Sequence, residues 1–418
     1  MSDRPRVVVT GLGLVTALGI GRAENWANAI AGRSGAAQIS TFDTSDNATT
    51  IACQVRDFDP TDFMDRRSAR RMDRFAQFAV AAARLAVADA GLEITDAMRP
   101  RAGAIVGSGI GGLDTFVEQT LIAHERGPDR VSPLFIPMVI ANMAGAQVSM
   151  ELGLKGPLSC ISTACASGNH ALGDATEVIR RGQADVMLAG GTESSITRTG
   201  IAAFNSMRAL STRNDDPATA SRPFDAGRDG FVMGEAGAIL VLESLDHALA
   251  RGATPICEVL GYGMTGDAHH LTEPDPTSEA PAAAIAMALE DAGLAPDQVD
   301  YVNAHATSTP VGDKGEVRTL RLALGDAVAA RTPVSSTKSM HGHCLGAAGG
   351  VEGALTALVI AEGVIPPTIN LHDLDPECEG VDHVANQARE ADVRVALSSA
   401  FGFGGHNAIV VLGRLEER

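Results

Sequence analysis

The sequence predicts an α/β protein built from two similar halves. Three observations carry this. Short apolar runs, glycine loops and alanine-rich helical stretches alternate along the 418 residues. One such unit, residues 158–189, has a counterpart at residues 334–363. Its helix puts Ala171, Ala175, Val178 and Ile179 on one face and ends at Gly182; the counterpart has Val351, Leu355, Leu358 and Val359 at the same spacings and ends at Gly363. Finally, Val259-Leu260-Gly261-Tyr262-Gly263 parallels Val9-Thr10-Gly11-Leu12-Gly13. The halves divide at residues 253 and 254.

Composition narrows the class. Hydrophobic residues make up 45% and aromatics only 4%, with 45 glycines, so the core is aliphatic and closely packed. A chain this long buries an ample core. The formal net charge of −18 argues against general nucleic-acid binding. No apolar run is read as reaching the roughly 18 residues of a membrane span. The opening MSDRPRVVVTGLG leads into a strand, and no signal peptide is expected. The six cysteines show neither CxxC nor zinc spacing, so no metal, free thiols and a cytoplasmic location are expected.

The elements follow in order. Arg6–Thr10 reads as a strand with a turn at Gly11-Leu12-Gly13, residues 24–31 as a helix and residues 41–52 as a loop. Residues 65–74 hold five arginines, fitting a solvated helix end or a dock for an acidic partner. Phe75–Ala90 is an alanine-rich helix. Ala102–Val106 is a strand entering Gly107-Ser108-Gly109-Ile110-Gly111-Gly112, which matches a dinucleotide fingerprint but lacks its acidic ribose partner. Residues 231–243 read as helix-to-strand, residues 279–292 as a helix, and residues 300–303 and 334–336 as strands.

Cys165 falls between the run Leu158–Ile161 and the helix that follows, at a strand-to-helix elbow. Unpaired N–H groups at a helix N-terminus favour negative charge and lower a thiol's pKa. Ala164, Ala166, Ser167 and Gly168 leave room for a substrate; the plainer reading is an inert buried cysteine. Superposing the two helical patterns puts Cys165 over Leu345, two residues from His343. A nucleophilic sulfur needs groups to hold a carbonyl and donors for the developing oxyanion. The second half offers His305, Lys338 and His343 near strand ends.

The motifs Ser162-Thr163-Ala164-Cys165-Ala166-Ser167-Gly168, Asn303-Ala304-His305, Ser335-Ser336-Thr337-Lys338-Ser339-Met340, Gly342-His343-Cys344-Leu345-Gly346-Ala347-Ala348-Gly349 and Phe401-Gly402-Phe403-Gly404-Gly405 occur in that order. Together they resemble the β-ketoacyl-acyl-carrier-protein synthases, in particular the elongating type II branch, over nearly the whole chain. The resemblance implies a thiolase-like fold, a five-layer αβαβα sandwich of duplicated halves, usually a homodimer. It implies decarboxylative condensation of malonyl-ACP with an acyl group carried on Cys165, lengthening the chain by two carbons in fatty acid synthesis. The backbone N–H groups of Cys165 and Phe403 would form the oxyanion hole. His305 and His343 would hold the malonyl thioester as neutral rings, and Lys338, with Glu316 as its partner, would tune them. Phe403 would be a gate. Ile110, Phe204 and Phe401 would line the substrate path, and Thr307 and Thr309 would bind the phosphopantetheine arm. Arg67, Arg70 and Arg71 would dock the acyl carrier protein. No cofactor is implied beyond the phosphopantetheine of that carrier.

The chain departs from the family pattern at Ala306, where Gly is usual, and at His341 and His406, where Thr is usual. These departures bear on substrate range. They leave open a specialised paralogue acting on very long or polyketide chains. A non-catalytic chain-length partner would lack Cys165. A thiolase would carry a second cysteine near residues 401–406.

Overall fold

The computed structural model describes residues 4–416. In the first half β1 (Val7–Thr16), β2 (Ala102–Gly107), β3 (Leu158–Ile161), β4 (Val186–Glu193) and β5 (Ala236–Ser244) lie in the order β3-β2-β4-β5-β1. In the second, β6 (Cys257–Gly266), β7 (Tyr301–Asn303), β8 (Pro333–Ser335), β9 (Val395–Gly402) and β10 (His406–Gly413) lie in the order β8-β7-β9-β10-β6. Counted within its own half, each order is third, second, fourth, fifth, first. The first two pairings of each are parallel and the last two antiparallel. Val7–Val9 pair antiparallel with Cys257–Val259, and this joins the two sheets edge to edge.

Helix α1 (Arg74–Asp89) packs on the outer face of the first sheet; α2 (Leu113–Arg126) follows the glycine loop, and α3 (Met143–Leu152) packs on α1. Helix α4 (Ser167–Arg180) leaves the Cys165 elbow, and α5 (Glu279–Ala292) and α6 (Gly312–Leu324) cover the second sheet. Helix α7 (Ala348–Glu362) packs against α4, against β4 and β5, and against β9 and β10. Helices α4 and α7 therefore form a central layer between the sheets, and the five layers are those of a thiolase-like fold.

The glycines of the repeated strand pattern are not turns. Strand β1 continues through Gly11 and Gly13 after a bulge between Val9 and Gly11, and only glycine fits there: a Cβ would lie 2.3 Å from the Ala86 carbonyl oxygen and 1.8 Å from that of Ala82. In β6, a Cβ at Gly261 or Gly263 would lie 2.2 Å from the carbonyl of Ala288 or Ala284. Each glycine pair lets an alanine-rich helix sit directly on the strand, and both halves use it.

Three other sequence expectations change. Residues 231–235 form no helix; they run extended, bridging Leu210, His343 and Cys53. The loop of residues 41–52 ends in a short strand, Ile51–Ala52, paired with Ala37–Gln38. Leu345–Glu362 is long and apolar enough for a membrane span, which the sequence reading had not counted, but 89% of it is buried inside the fold.

The elbows also shift by one residue. Cys165 lies in a short turn, Ala164–Ala166, before α4, and the matching turn before α7 is Leu345–Ala347. Ala164 (φ 50°) and Leu345 (φ 48°) adopt the same left-handed conformation, which costs energy for a residue with a Cβ. Cys165 is therefore equivalent to Gly346. Helical periodicity missed this because 13 of the 15 residues of α7 are buried, leaving no polar face to set the register.

Candidate active site

The two elbows meet because α4 and α7 cross at their N-termini. A Cβ on Gly168 would lie 2.6 Å from the Gly350 nitrogen, and one on Gly349 would lie 2.3 Å from that of Asn169. Cys165 is thereby buried beneath the second half. His343 Nε2 lies 2.9 Å from its Sγ. The sulfur and one ring nitrogen each of His305 and His343 all lie within 4.8 Å of one another. The two rings are perpendicular, with centroids 5.4 Å apart.

Burial pushes the Cys165 thiol up to about 12, against the pull of the Lys338 charge and of the Phe403 and Cys165 backbone N–H groups aimed at the sulfur. The lowered pKa expected from the helix N-terminus is thus outweighed by desolvation, which favours the thiol form of Cys165. Burial, reinforced by Lys338, holds His305 and His343 well below the ordinary imidazole value, so both rings are neutral. Neither Nδ1 has a hydrogen-bond partner. An orphaned N–H costs more than an orphaned lone pair, which places each proton on Nε2, the one on His343 facing the sulfur. The cluster would also form a Cys–His–His ligand set, but the acceptor that normally orients a metal-bound imidazole is absent at both rings.

Lys338 is fully buried, and its Nζ pairs with Glu352 on α7 rather than with Glu316. Glu316 instead accepts the backbone N–H groups of His305 (2.8 Å) and Ala306 (2.6 Å) and so fixes the turn that carries His305. Nothing in the local sequence marks Glu352, which sits 14 residues from Lys338 on an all-buried helix.

The glycine loop is not a phosphate cradle. Glu193 accepts the N–H groups of Gly109 (2.7 Å) and Ile110 (3.2 Å), the Ser108 hydroxyl (3.1 Å), and Gly346 N–H (3.1 Å) from the opposite elbow. The Gly111 and Gly112 amides go to Ser108 Oγ and the Val139 carbonyl. The amides that would hold a phosphate are taken, and Gly107 is needed because a Cβ would lie 2.5 Å from the Ser167 carbonyl oxygen.

Residues 4–248 match the Beta-ketoacyl synthase N-terminal domain, and residues 256–372 match its C-terminal domain. The chain belongs to the β-ketoacyl synthase family. It is 50% identical over 414 residues to a 3-oxoacyl-[acyl-carrier-protein] synthase 2 of Synechocystis sp., with 99% of each chain covered. A solved β-ketoacyl synthase from Burkholderia phymatum superposes with a TM-score of 0.92 at 37% identity, covering 99% of this chain and 100% of that one. A type II polyketide ketosynthase, solved in complex with its acyl-carrier protein and bound to a hexaketide, gives 0.91 at 34% identity with the same coverage. The enzyme is therefore a condensing acyltransferase.

Around this ketosynthase centre the other expected residues fall into two groups. Phe401 packs edge-on to His305 at 5.8 Å. Thr307 and Thr309 hydroxyls lie 3.1 Å apart just beyond it. Phe231 lies between Phe204 and His343, packing edge-to-face with each, at 5.4 Å and 5.2 Å between centroids. Phe231 was missed in the sequence because it lies outside every motif. Ile110 is 41% exposed on the glycine loop. The Phe403 side chain is half-buried, and the loop after it turns through Gly404 (φ 83°) and Gly405 (φ 75°). Arg67, Arg70 and Arg71 stand apart from the cluster, on and just after a short helix capped by Asp65. All three are exposed, and among the described residues none forms an ion pair.

Proposed function

We propose that Cys165 carries the growing acyl chain in a decarboxylative Claisen condensation with malonyl-ACP, as in 3-oxoacyl-ACP synthase II. The observation that carries this is the Cys165–His305–His343 cluster, with two backbone N–H groups aimed at the sulfur. In the first step Sγ attacks the thioester carbonyl of acyl-ACP. The Cys165 and Phe403 N–H groups stabilise the oxyanion, and the thiol proton leaves with the released carrier thiol. In the second, the Nε2–H groups of His305 and His343 hold the malonyl thioester oxygen. Loss of CO₂ leaves a carbanion that attacks the acyl-Cys165 carbonyl, releasing 3-oxoacyl-ACP and the Cys165 thiolate, which takes up a proton. Decarboxylation supplies the driving force, so the site needs no strong base and no cofactor beyond the carrier's phosphopantetheine.

The exposed Arg67, Arg70 and Arg71 suit an acidic carrier protein, which an overall acidic enzyme can bind only through a local basic field. The six free cysteines fit a reducing, cytoplasmic setting. Strand β3 lies at an edge of its sheet with Leu158 49% exposed, near exposed Met150 on α3 and Ile136. Such an edge supports a homodimer joined there.

Dodecanoyl-ACP is expected to add one acyl group, found on Cys165 by mass spectrometry. Cys165→Gln is expected to lose condensation yet still decarboxylate malonyl-ACP. An adduct elsewhere, or no adduct, overturns the assignment of the nucleophile.

A further inference from the structure

We infer that His341 is a positioning residue for the decarboxylation step: through Thr337 and Asn303 it holds the loops of His305 and His343 in fixed relation. The inference rests on the reading of those two histidines given above.

His341 closes the short helix Lys338–His341 and is fully buried. Its Nε2 lies 3.0 Å from Thr337 Oγ1, which lies 3.4 Å from Asn303 Oδ1. Asn303 Nδ2 reaches the Glu352 carbonyl (3.3 Å) and Thr356 Oγ1 (3.2 Å) on α7. Cys344 Sγ sits 3.8 Å from His341 Nδ1. Every member of this string is fully buried.

The direction of the string is forced. The Thr356 hydroxyl donates to the Glu352 carbonyl at 2.7 Å, so both groups facing Asn303 Nδ2 accept, and Oδ1 must face Thr337. The Thr337 hydroxyl then donates to Oδ1 and can only accept from His341. The His341 proton is therefore on Nε2, while Nδ1 faces the Cys344 sulfur at 3.8 Å, whose nearest acceptor is the His341 carbonyl at 3.5 Å. Burial, with the Lys338 charge, pushes the ring down to about 3, so it stays neutral.

The string lies within two residues, along the chain, of His305, His343 and Lys338. Asn303 lies two residues before His305, His341 two before His343, and Thr337 immediately before Lys338. The contrast with the working rings is the main argument. His341 has Nε2 bonded to Thr337 and Nδ1 against the Cys344 sulfur, whereas His305 and His343 each leave Nδ1 without a partner. No hydrogen bond orients those two from behind; Phe401 and Phe231 pack edge-on against His305 and His343, and the backbones set the rest. The His343 N–H is bonded to the Val232 carbonyl at 2.8 Å, and its own carbonyl accepts from Gly234 at 2.9 Å. A Cβ on Gly342 would lie 2.9 Å from Cys53 Sγ, so that turn cannot readjust. The two loops are joined directly by the Ala304 N–H to the Ser335 carbonyl (2.9 Å) and by the Ser336 hydroxyl to the Ala306 carbonyl (2.7 Å). The buried string adds the side-chain link that carries this register on to His341 and α7, and a fully satisfied buried polar network specifies one geometry.

The test separates the half-reactions. In a Cys165→Gln background, His341→Leu and the volume-conserving Thr337→Val are expected to slow malonyl-ACP decarboxylation about ten- to a hundredfold in kcat, the range a misplacement near 1 Å produces, with KM changed less than about twofold. In the Cys165 enzyme, neither is expected to slow acylation by dodecanoyl-ACP more than about twofold. His341→Gln, which restores an N–H toward Thr337, is expected to recover most of the rate. Equal losses in both half-reactions, no loss in decarboxylation, or His341→Gln behaving like His341→Leu would overturn the inference. Should His341→Leu not fold, Thr337→Val and His341→Gln decide it. Normal decarboxylation by His343→Ala would instead overturn the underlying reading of the site.

Discussion

Replacing Lys338 by Met leaves Glu352 buried beside an uncharged side chain. Glu352 Oε2 has no hydrogen-bond partner, so its carboxylate depends on the single contact to Lys338 Nζ. Removing one partner of such a pair typically costs about 3–5 kcal/mol, a large share of the roughly 5–15 kcal/mol that holds a protein folded. Removing both, in Lys338→Met with Glu352→Leu, is expected to restore most of that stability without restoring activity. Burial raises the Glu352 pKa and Lys338 lowers it. A carboxyl raised on folding is most stabilising below its unfolded value of about 4.3, and that contribution is lost as pH rises through the folded value. Loss of Lys338 raises it further, so the deficit of the single variant is expected to be larger at pH 8 than at pH 5. Urea unfolding followed by the fluorescence of the one tryptophan, Trp26, which packs against the core, measures this. A single variant within about 1 kcal/mol of wild type, or a double variant no more stable than the single, would refute the account of the pair.

Two further expectations concern surfaces. Reversing Arg70 and Arg71 to Glu is expected to raise KM for acyl-ACP about tenfold at low salt, less at high salt, and to leave small thioesters unaffected. An unchanged KM would remove the docking role. Leu158→Lys, on the exposed edge of β3, is expected to shift sedimentation from dimer to monomer; an unshifted dimer would place the interface elsewhere.

Much of the site was legible because its groups sit in contiguous motifs at strand ends, where the chain must turn and chemistry concentrates. The elbow at Cys165, the second elbow and the two histidines were all read this way. What escaped was decided by packing between distant segments. Glu316 looked like the partner of Lys338, but its oxygens are occupied by two backbone amides. Glu352 and Phe231 reach the site from an all-buried helix and an irregular segment, neither with a local signal. The glycines of β1 read as a turn because a glycine in a strand differs from one in a turn only by the helix lying on it. The thiol expected to ionise at a helix N-terminus is governed instead by how completely the second half covers it.

The central layer has a consequence for how the enzyme is made. Helix α4 comes from the first half and packs on β2 and β4 of its own sheet, but α7, which covers β4 and β5 and meets α4, comes from the second, so the central layer is complete only when both have been synthesised. When Cys257 opens the second half, about 160 residues remain. At roughly 5–20 residues per second a ribosome needs about 8–32 seconds to add them. Through that interval β5 and the side of α4 that meets α7 lack their partner. The nascent first half then exposes apolar surface that invites aggregation, and Cys165 meets His305 and His343 only in a finished chain.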